Sequence, residues 1–185
     1  MQEPEQEARI AALAIQLGMN NEAEQLLKEC GRYDLLNRFY QDSGRWTQAL
    51  DTAKSKDRVH LRNTYHAHAQ HLELSGKVNE QASWLFFYFI FSLPPISSSH
   101  SLFSFSRSLK TQQAVDGYEK AETHRFEVPR MMLDNPRALE DYINKSQDSD
   151  LLKWWAQYQE SQQDMNRALT YYEAAGDIHS QARME

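Results

Sequence analysis

Four histidines and a glutamate in one short stretch are the first residues whose types suggest chemistry. They are His60, His66, His68, His71 and Glu73. A metal site on a helix usually needs two ligands at i and i+4 and a third ligand that converges on them, as in the His-Glu-x-x-His pattern. That pattern is absent, and His68 and His71 are three positions apart. We therefore expect solvated or partly buried histidines on a long helix, and no metal site.

Two adjacent tryptophans are the candidates for binding a partner. Tryptophan is enriched among the residues that dominate binding energy at protein interfaces. Consecutive positions of a helix point about 100° apart, so Trp154 and Trp155 cannot both lie deep in one seam. We expect Trp155 to pack inside a helical hairpin with Leu151 and Tyr158, and Trp154 to contact the adjacent repeat. Trp154 is the candidate partner-binding residue.

Other reactive residue types do not form a catalytic pattern. Cys30 has no histidine and acid arranged around it in the sequence, as a nucleophilic thiol requires. The acidic pairs Glu22 with Glu24 and Glu140 with Asp141 fall on predicted helix faces, which are usually solvated. No glycine-rich phosphate loop is present. We expect a protein without catalytic residues, cofactor or small-molecule substrate.

Composition favours a globular protein of the reducing cytosol. The chain has 185 residues, of which 41% are hydrophobic and 25% charged. Its net charge of −6 gives no basic field for nucleic acid, so we expect no nucleic-acid partner. A single cysteine cannot form an internal disulfide, and the first residues lack the pattern of a secretory signal.

The elements that carry these residues are predicted to be helices. The chain has six glycines, five prolines and almost no β-branched alternation. A glycine followed five residues later by an alanine recurs at Gly18 with Ala23 and at Gly44 with Ala49. Each glycine is expected to adopt the left-handed conformation that ends a helix.

The predicted helices have the following bounds and core residues. They include Tyr33–Asp42, Trp46–Lys54, Arg58–Ser75 with Gly76 as its cap, Pro136–Lys145 after a cap at Asp134 or Asn135, and a helix capped by Ser149 or Asp150. In the first hairpin, the residues expected to face inward are Ile10, Leu13, Ala14 and Leu17. The segment around Pro129 is expected to lie between helices.

Together these elements predict an all-α fold, a tetratricopeptide-like α-solenoid of stacked antiparallel helical hairpins. The spacings from Gly18 to Gly44 and from Gly44 to Gly76 are unequal, and both are shorter than the strict period of about 34. Such hairpins bury their apolar faces by stacking and present a long surface to protein partners. Neither end resembles a capping repeat, so we expect a piece of a longer solenoid.

Residues 81–113 interrupt the pattern. Joining Glu80 to Ala114 would restore the spacing of five that Gly76 begins. The 33 intervening residues correspond to 99 nucleotides, which keeps the reading frame. They are rich in Phe, Leu, Ser and Pro, which pyrimidine-rich codons can encode, so we interpret them as a retained intron. We expect repeats over 5–80, a disordered or poorly packed insert over 81–113, with a loop-like Ser97–Ser108, and repeats over 114–185.

Part of the insert raises a membrane alternative. The apolar run Trp84–Leu93 is shorter than the roughly 20 residues that a spanning helix needs. It instead resembles an aggregation-prone strand, because it is uncharged and has high β-propensity. We expect low solubility and no membrane contact.

Four segments resemble the helical-repeat region of the intraflagellar transport protein 140 family. They are Asp42–Trp46, Leu61–Tyr65, Thr123–Arg130 and Leu152–Tyr158, within a resemblance over 5–80 and 114–178. The two WD40 propellers that precede these repeats in that family have no counterpart in this sequence.

The resemblance implies a non-enzymatic scaffold that binds other subunits of intraflagellar transport complex A. Its setting would be retrograde ciliary transport and cilium assembly, at the cilium, the ciliary basal body and the cytoplasm. It also implies an aromatic residue where His66 stands, which favours packing there. Two alternatives are a generic adaptor in a vesicle-coat or chaperone assembly, and a small membrane-associated protein that uses Trp84–Leu93.

Overall fold

The fold is all-α wherever the structure describes it, as predicted. A computed structural model describes the backbone of residues 4–91 and 97–184, and the side chains of residues 6, 9–76 and 109–184. Over these residues the chain forms α-helices and one 3-10 helix, Arg58–His60, with no strand. The α-helices are α1 Pro4–Gln16, α2 Asn20–Glu29, α3 Tyr33–Asp42, α4 Trp46–Ser55, α5 Leu61–Phe91, α6 Ser97–Lys120, α7 His124–Met132, α8 Pro136–Ser146, α9 Ser149–Ser161, α10 Met165–Ala175 and α11 Ile178–Met184.

The helices fall into two compact units, Met1–Thr123 and His124–Glu185. In the first unit α1 packs with α2, α3 with α4 and α5 with α6, while α2 also meets α3 and α4 meets α5. In the second unit α7 packs with α8, α8 with α9, α9 with α10 and α10 with α11. Within each unit every helix therefore packs on a sequence neighbour, and the expected stacking of helical hairpins is confirmed.

One combination of helix and turn repeats through the first unit. α2, α3 and α4 are each ten residues long, and their first residues, Asn20, Tyr33 and Trp46, are evenly spaced by thirteen positions. The three residues between them make a turn that reverses the chain. We call a ten-residue helix with its three-residue turn a module. In the second unit, α10 and α11 begin at Met165 and Ile178, with the same spacing.

The turns depend on residues in the left-handed conformation. The glycines with positive φ are Gly18, Gly31, Gly44 and Gly176. Glycine adopts this conformation without the steric penalty of a Cβ atom. In the turn at Gly44, its N–H donates to Gln41 O (3.0 Å) and Arg45 N–H donates to Tyr40 O (2.8 Å). These two bonds form a Schellman motif, which satisfies carbonyls at the helix end. The predicted role of Gly18 and Gly44 is therefore confirmed.

Three further turns use a residue other than glycine. Glu122, Gln147 and Gln163 have φ values of 59°, 53° and 66°. Ala168, five residues after Gln163, is fully buried. The predicted spacing between a turn residue and a buried alanine thus recurs with glutamine in the place of glycine. A search for glycines in the sequence misses this copy.

The fourth and eighth residues of the regular helices form the core. Positions four apart lie on the same face of a helix, so each of these helices contributes one narrow buried stripe. The buried pairs are Ala23 and Leu27, Leu36 and Tyr40, Ala49 and Ala53, Leu139 and Ile143, and Ala168 and Tyr172. Four of these ten residues are alanines, whose small side chains allow neighbouring helices to approach closely.

The buried face of α1 differs from the predicted one. Ala14 is buried as expected, but Ile10, Leu13 and Leu17 are 53%, 58% and 75% exposed. The expectation that these three residues face inward is wrong. Ala11 is fully buried instead, because a small side chain lets α1 approach its neighbour more closely than a leucine would. Apolar type alone did not identify this face.

α5 and α6 meet where both helices carry small residues. A Cβ atom built on Gly117 would lie 2.9 Å from the Cβ atom of Ala69, which is closer than carbon atoms normally approach. Gly117 lowers helix propensity, and this close approach explains its presence. One residue further, the buried Tyr118 donates its Oη hydrogen to Glu73 Oε2 at 2.9 Å. The described residues of α5 and α6 therefore pack together as the third helical hairpin.

Gly76 does not end α5, contrary to the prediction. The helix continues to Phe91, because no proline follows before residue 94 and one glycine in a helix costs only about 1 kcal/mol. α6 begins at Ser97, so the backbone over Ser97–Ser108 is helical where a loop was expected. Serine is only moderately unfavourable in helices, and this stretch has no glycine or proline. The side chains of 77–108 lie outside the described residues, so poor packing of the insert stays a prediction.

Two other helix boundaries differ from the predictions. Asp148 caps α9, since its side chain accepts a hydrogen bond from Asp150 N–H at 2.9 Å. The expected cap at Ser149 or Asp150 is therefore wrong by one or two residues. α7 contains Pro129, which was expected between helices. Val128 and Pro129 are both buried, and this burial offsets the hydrogen bond that proline cannot donate.

Candidate partner-binding site

The candidate partner-binding residue Trp154 lies on α9, and a side-chain cap fixes where this helix starts. The Asp148 cap sets where the helix begins, and Trp154 and Trp155 are its sixth and seventh residues. Because successive side chains point about 100° apart, the two indole rings face different surroundings. Trp155 is 1% exposed, whereas Trp154 is only partly buried.

Trp155 belongs to the core of the α9–α10 hairpin. Its ring stacks on Tyr158, with centroids 5.1 Å apart and planes at 17°. Across the hairpin it meets Tyr171 edge to face, at 6.4 Å and 85°. Leu151, one turn earlier on α9, is also buried. Trp155 therefore packs inside the hairpin, where it was expected.

Trp154 is held at the surface by other aromatic rings. It stacks on Tyr158 at 5.9 Å and 15°, and its centroid lies 6.2 Å from that of Trp155. A ring that is already held in place loses little conformational entropy on binding. These contacts suit Trp154 to act as a preformed anchor, and its role in binding stays a prediction.

Ion pairs connect α9 to other helices of the second unit. Arg125 Nε lies 2.9 Å from Asp148 Oδ2, and the same arginine also pairs with Asp150. Lys153 Nζ lies 2.7 Å from Asp177 Oδ2. A fourth pair joins Arg183 Nη2 to Glu160 Oε2 at 2.8 Å. Charged groups thus lie along α9, the helix that carries Trp154.

The carboxylates of Asp148 and Asp177 are ionised at neutral pH. Hydrogen bonds from Lys153 and Ser180 lower the pKa of Asp177 to about 2. At Asp148 desolvation raises the pKa, but hydrogen bonds from Asp150 N–H and Arg125 outweigh it, so the net pKa is lowered. Such groups accept hydrogen bonds and bind cations, and they cannot act as general acids near pH 7.

The four clustered histidines do not share one partner. His60 Nδ1 lies 2.7 Å from Asp57 Oδ1, and His66 Nδ1 lies 3.1 Å from Thr123 Oγ1. His68 and His71 flank the ring of Trp46, with centroid distances of 5.2 and 5.0 Å. His66 also packs against Tyr118 at 5.5 Å, in agreement with the packing role expected there. Among the described side chains, no group of three or more His, Cys, Asp or Glu residues is placed to hold a metal ion.

Some polar contacts were not expected from the sequence. Glu24 was expected on a solvated face, but its carboxylate accepts hydrogen bonds from Lys28, Tyr40 and Arg45. The hydrogen bond from Lys28 is the largest cause of its lowered pKa. In the second unit, Tyr171 Oη donates to Glu140 Oε1 at 2.5 Å. Apart from the Lys28–Glu24 pair within α2, these contacts join residues 16 to 31 positions apart, so the sequence alone does not reveal them.

Comparison with known families decides which helical solenoid this is. The sequence matches the family described as the TPR domain of intraflagellar transport proteins 140 and 172, over residues 1–85 and 98–185. The chain belongs to this family. The resemblance to the intraflagellar transport protein 140 family is thereby confirmed, as is the tetratricopeptide-like character of the fold. The unmatched residues 86–97 lie inside the predicted insert 81–113, whose bounds stay a prediction.

Membership in this intraflagellar transport TPR domain family gives the chain a broad functional class. It is a protein-interaction scaffold of the intraflagellar transport type, since this helical fold presents surfaces rather than a catalytic cleft. The same match indicates a cilium-related location.

Proposed function

We propose that the chain acts as a non-enzymatic scaffold in retrograde ciliary transport and cilium assembly. It binds other subunits of intraflagellar transport complex A and is located in the cilium, at the ciliary basal body and in the cytoplasm. The observation that carries the proposal is the family match across both units, on helices that pack pair by pair. Stacked hairpins bind partners through extended surfaces, so no cofactor or small-molecule substrate is involved.

Trp154 is the residue that we place at a partner contact. Large aromatic side chains at the centre of an interface often contribute most of its binding energy. The stacking of Trp154 on Tyr158 at 5.9 Å fixes its ring before a partner arrives. Charged pairs beside it, such as Lys153 with Asp177, would form the polar rim that surrounds such anchors.

A binding experiment with the full chain tests both levels of this proposal. The immobilised chain is mixed with purified complex A subunits, and the retained fraction is measured for the native sequence and for Trp154→Ala. We expect retention by the native chain and a loss of affinity of about tenfold or more for Trp154→Ala, the usual scale for an anchor residue. Lys145→Ala, at an exposed position of α8, is the matched control and should bind normally.

The outcomes separate the function from the site. Absence of any retained subunit, with a chain whose helicity is intact, would contradict the scaffold function in complex A. Normal retention of subunits by Trp154→Ala would contradict the assigned contact while leaving the function standing. Trp155→Ala is expected to lower the melting temperature, because Trp155 is a core residue that is 1% exposed.

The alternative functions have less support. An adaptor in a vesicle-coat or chaperone assembly would use the same fold, but the family match favours intraflagellar transport. Among the described helices, none is both long enough and apolar enough to pass through a bilayer. The segment Trp84–Leu93 that would contact a membrane lies outside the residues with described side chains.

A further inference from the structure

The last ten residues of α6 reproduce one module. Thr111–Lys120 has buried residues at its fourth and eighth positions, Ala114 and Tyr118, which are both 0% exposed. Glu122, two residues after the helix, adopts the left-handed conformation with φ 59°. α2 has the same layout, since its left-handed turn residue also follows two positions after its end. The module is thus complete on its C-terminal side.

On its N-terminal side this module lacks its turn. A left-handed residue would be expected two positions before Thr111, at Leu109, yet α6 continues back to Ser97. The preceding glycine, Gly76, lies within α5. Gly76 and Glu122 are 46 positions apart, and 33 of these positions are residues 81–113, which leaves thirteen. Thirteen is the length of a module, so the count is restored when 81–113 are left out.

Two four-residue segments are equivalent candidates for the start of the module. Residues 77–80 read Lys-Val-Asn-Glu, and residues 110–113 read Lys-Thr-Gln-Gln. Lysine aligns with lysine, valine with the similarly shaped threonine, an amide with an amide, and glutamate with glutamine of nearly equal size. Either segment joined to Ala114 gives a helix start of the same shape and similar polarity.

We infer that residues 77–80 can take the place of 110–113 at the start of the module that packs on α5, and that they do so when 81–113 are absent. With 81–113 present, 77–80 extend α5 and 110–113 begin the module. Without 81–113, α5 ends at Gly76 in the left-handed conformation and Val78 begins a ten-residue helix that ends at Lys120. The close approach of Gly117 to Ala69 and the hydrogen bond from Tyr118 to Glu73 are the same in both forms.

One substitution, made in two chains, tests this inference. In the full chain Gly76 is inside a helix, and a Cβ atom there would have no atom of the described residues within 4 Å. Gly76→Ala should therefore raise the melting temperature by about 2–4 °C through helix propensity. In a chain lacking 81–113, Gly76 becomes the left-handed turn residue, so the same substitution should lower the melting temperature by a similar amount.

The matched control is Gly44→Ala, because Gly44 has φ 71° in a turn that the deletion does not change. It should lower the melting temperature in both chains. Far-ultraviolet circular dichroism of the chain without 81–113 should show a cooperative transition. An effect of Gly76→Ala with the same sign in both chains would overturn the inference, and so would a chain without 81–113 that fails to fold.

Discussion

Replacing Gly117 by alanine tests the packing of the third hairpin. Two effects oppose each other. Alanine in a helix interior is favoured over glycine by about 1 kcal/mol. The new Cβ atom, however, would lie 2.9 Å from Ala69 Cβ and 3.5 Å from Ala69 Cα. Carbon atoms normally stay about 3.5–4.0 Å apart, so α5 and α6 must separate.

The size of the loss follows from what Gly117 contacts. The crowded atoms of Ala69 belong to the backbone and to a side chain that cannot rotate away. Overpacking of this kind costs about 1–3 kcal/mol. After the gain in helix propensity, we expect Gly117→Ala to lower the free energy of unfolding by up to about 2 kcal/mol.

Urea unfolding followed by circular dichroism measures this change. Gly76→Ala is the matched comparison, since Gly76 also lies inside a helix but the added Cβ would have no atom of the described side chains within 4 Å. Ala69→Gly, combined with Gly117→Ala, should recover stability because it removes the atom in conflict. A Gly117→Ala chain as stable as Gly76→Ala would refute the reasoning.

Two further predictions concern turns and charges. Gln163→Gly should raise the free energy of unfolding by up to about 1 kcal/mol, because Gln163 has φ 66° and glycine adopts this conformation without strain. An unchanged midpoint of urea unfolding would contradict this prediction. For Asp177, the folded pKa of about 2 lies below the ordinary value of 3.8, so its stabilising effect is full above about pH 4 and is lost as the pH falls through 2. The difference in melting temperature between the native chain and Asp177→Asn should therefore shrink as the pH falls from 5 to 2, and a constant difference would count against the Lys153–Asp177 pair.

The sequence predicted the helices well because residues of a recognisable type mark the turns between them. Glycine marks a left-handed turn, so Gly18 and Gly44 located the first hairpins, and the predicted bounds Tyr33–Asp42 match α3. Gln163 adopts the same left-handed conformation, although glutamine is not a residue type that predicts it. Its turn is fixed by the packing of α9 on α10, which only the fold reveals.

Buried faces were harder to predict than helix positions. Ala11 and Ala14 of α1 are buried while the larger Ile10 and Leu13 are exposed, since close packing selects size as well as polarity. At the candidate site, too, some features could be predicted from the sequence and others could not. Helix geometry was enough to separate Trp154 from Trp155, but the stacking of Trp154 on Tyr158 and the pairs of Lys153 and Arg125 depend on distances across helices.

The fixed length of a module restricts how such a chain can change in length. Every turn reverses the chain direction, so one extra module would leave all later helices running the opposite way. Two extra modules restore the direction, and two modules are what separates Gly18 from Gly44. The segment 81–113 is longer than two modules and shorter than three, so it fits neither count. It coincides with the lengthening of α5 to 31 and α6 to 24 residues, the two helices of one hairpin.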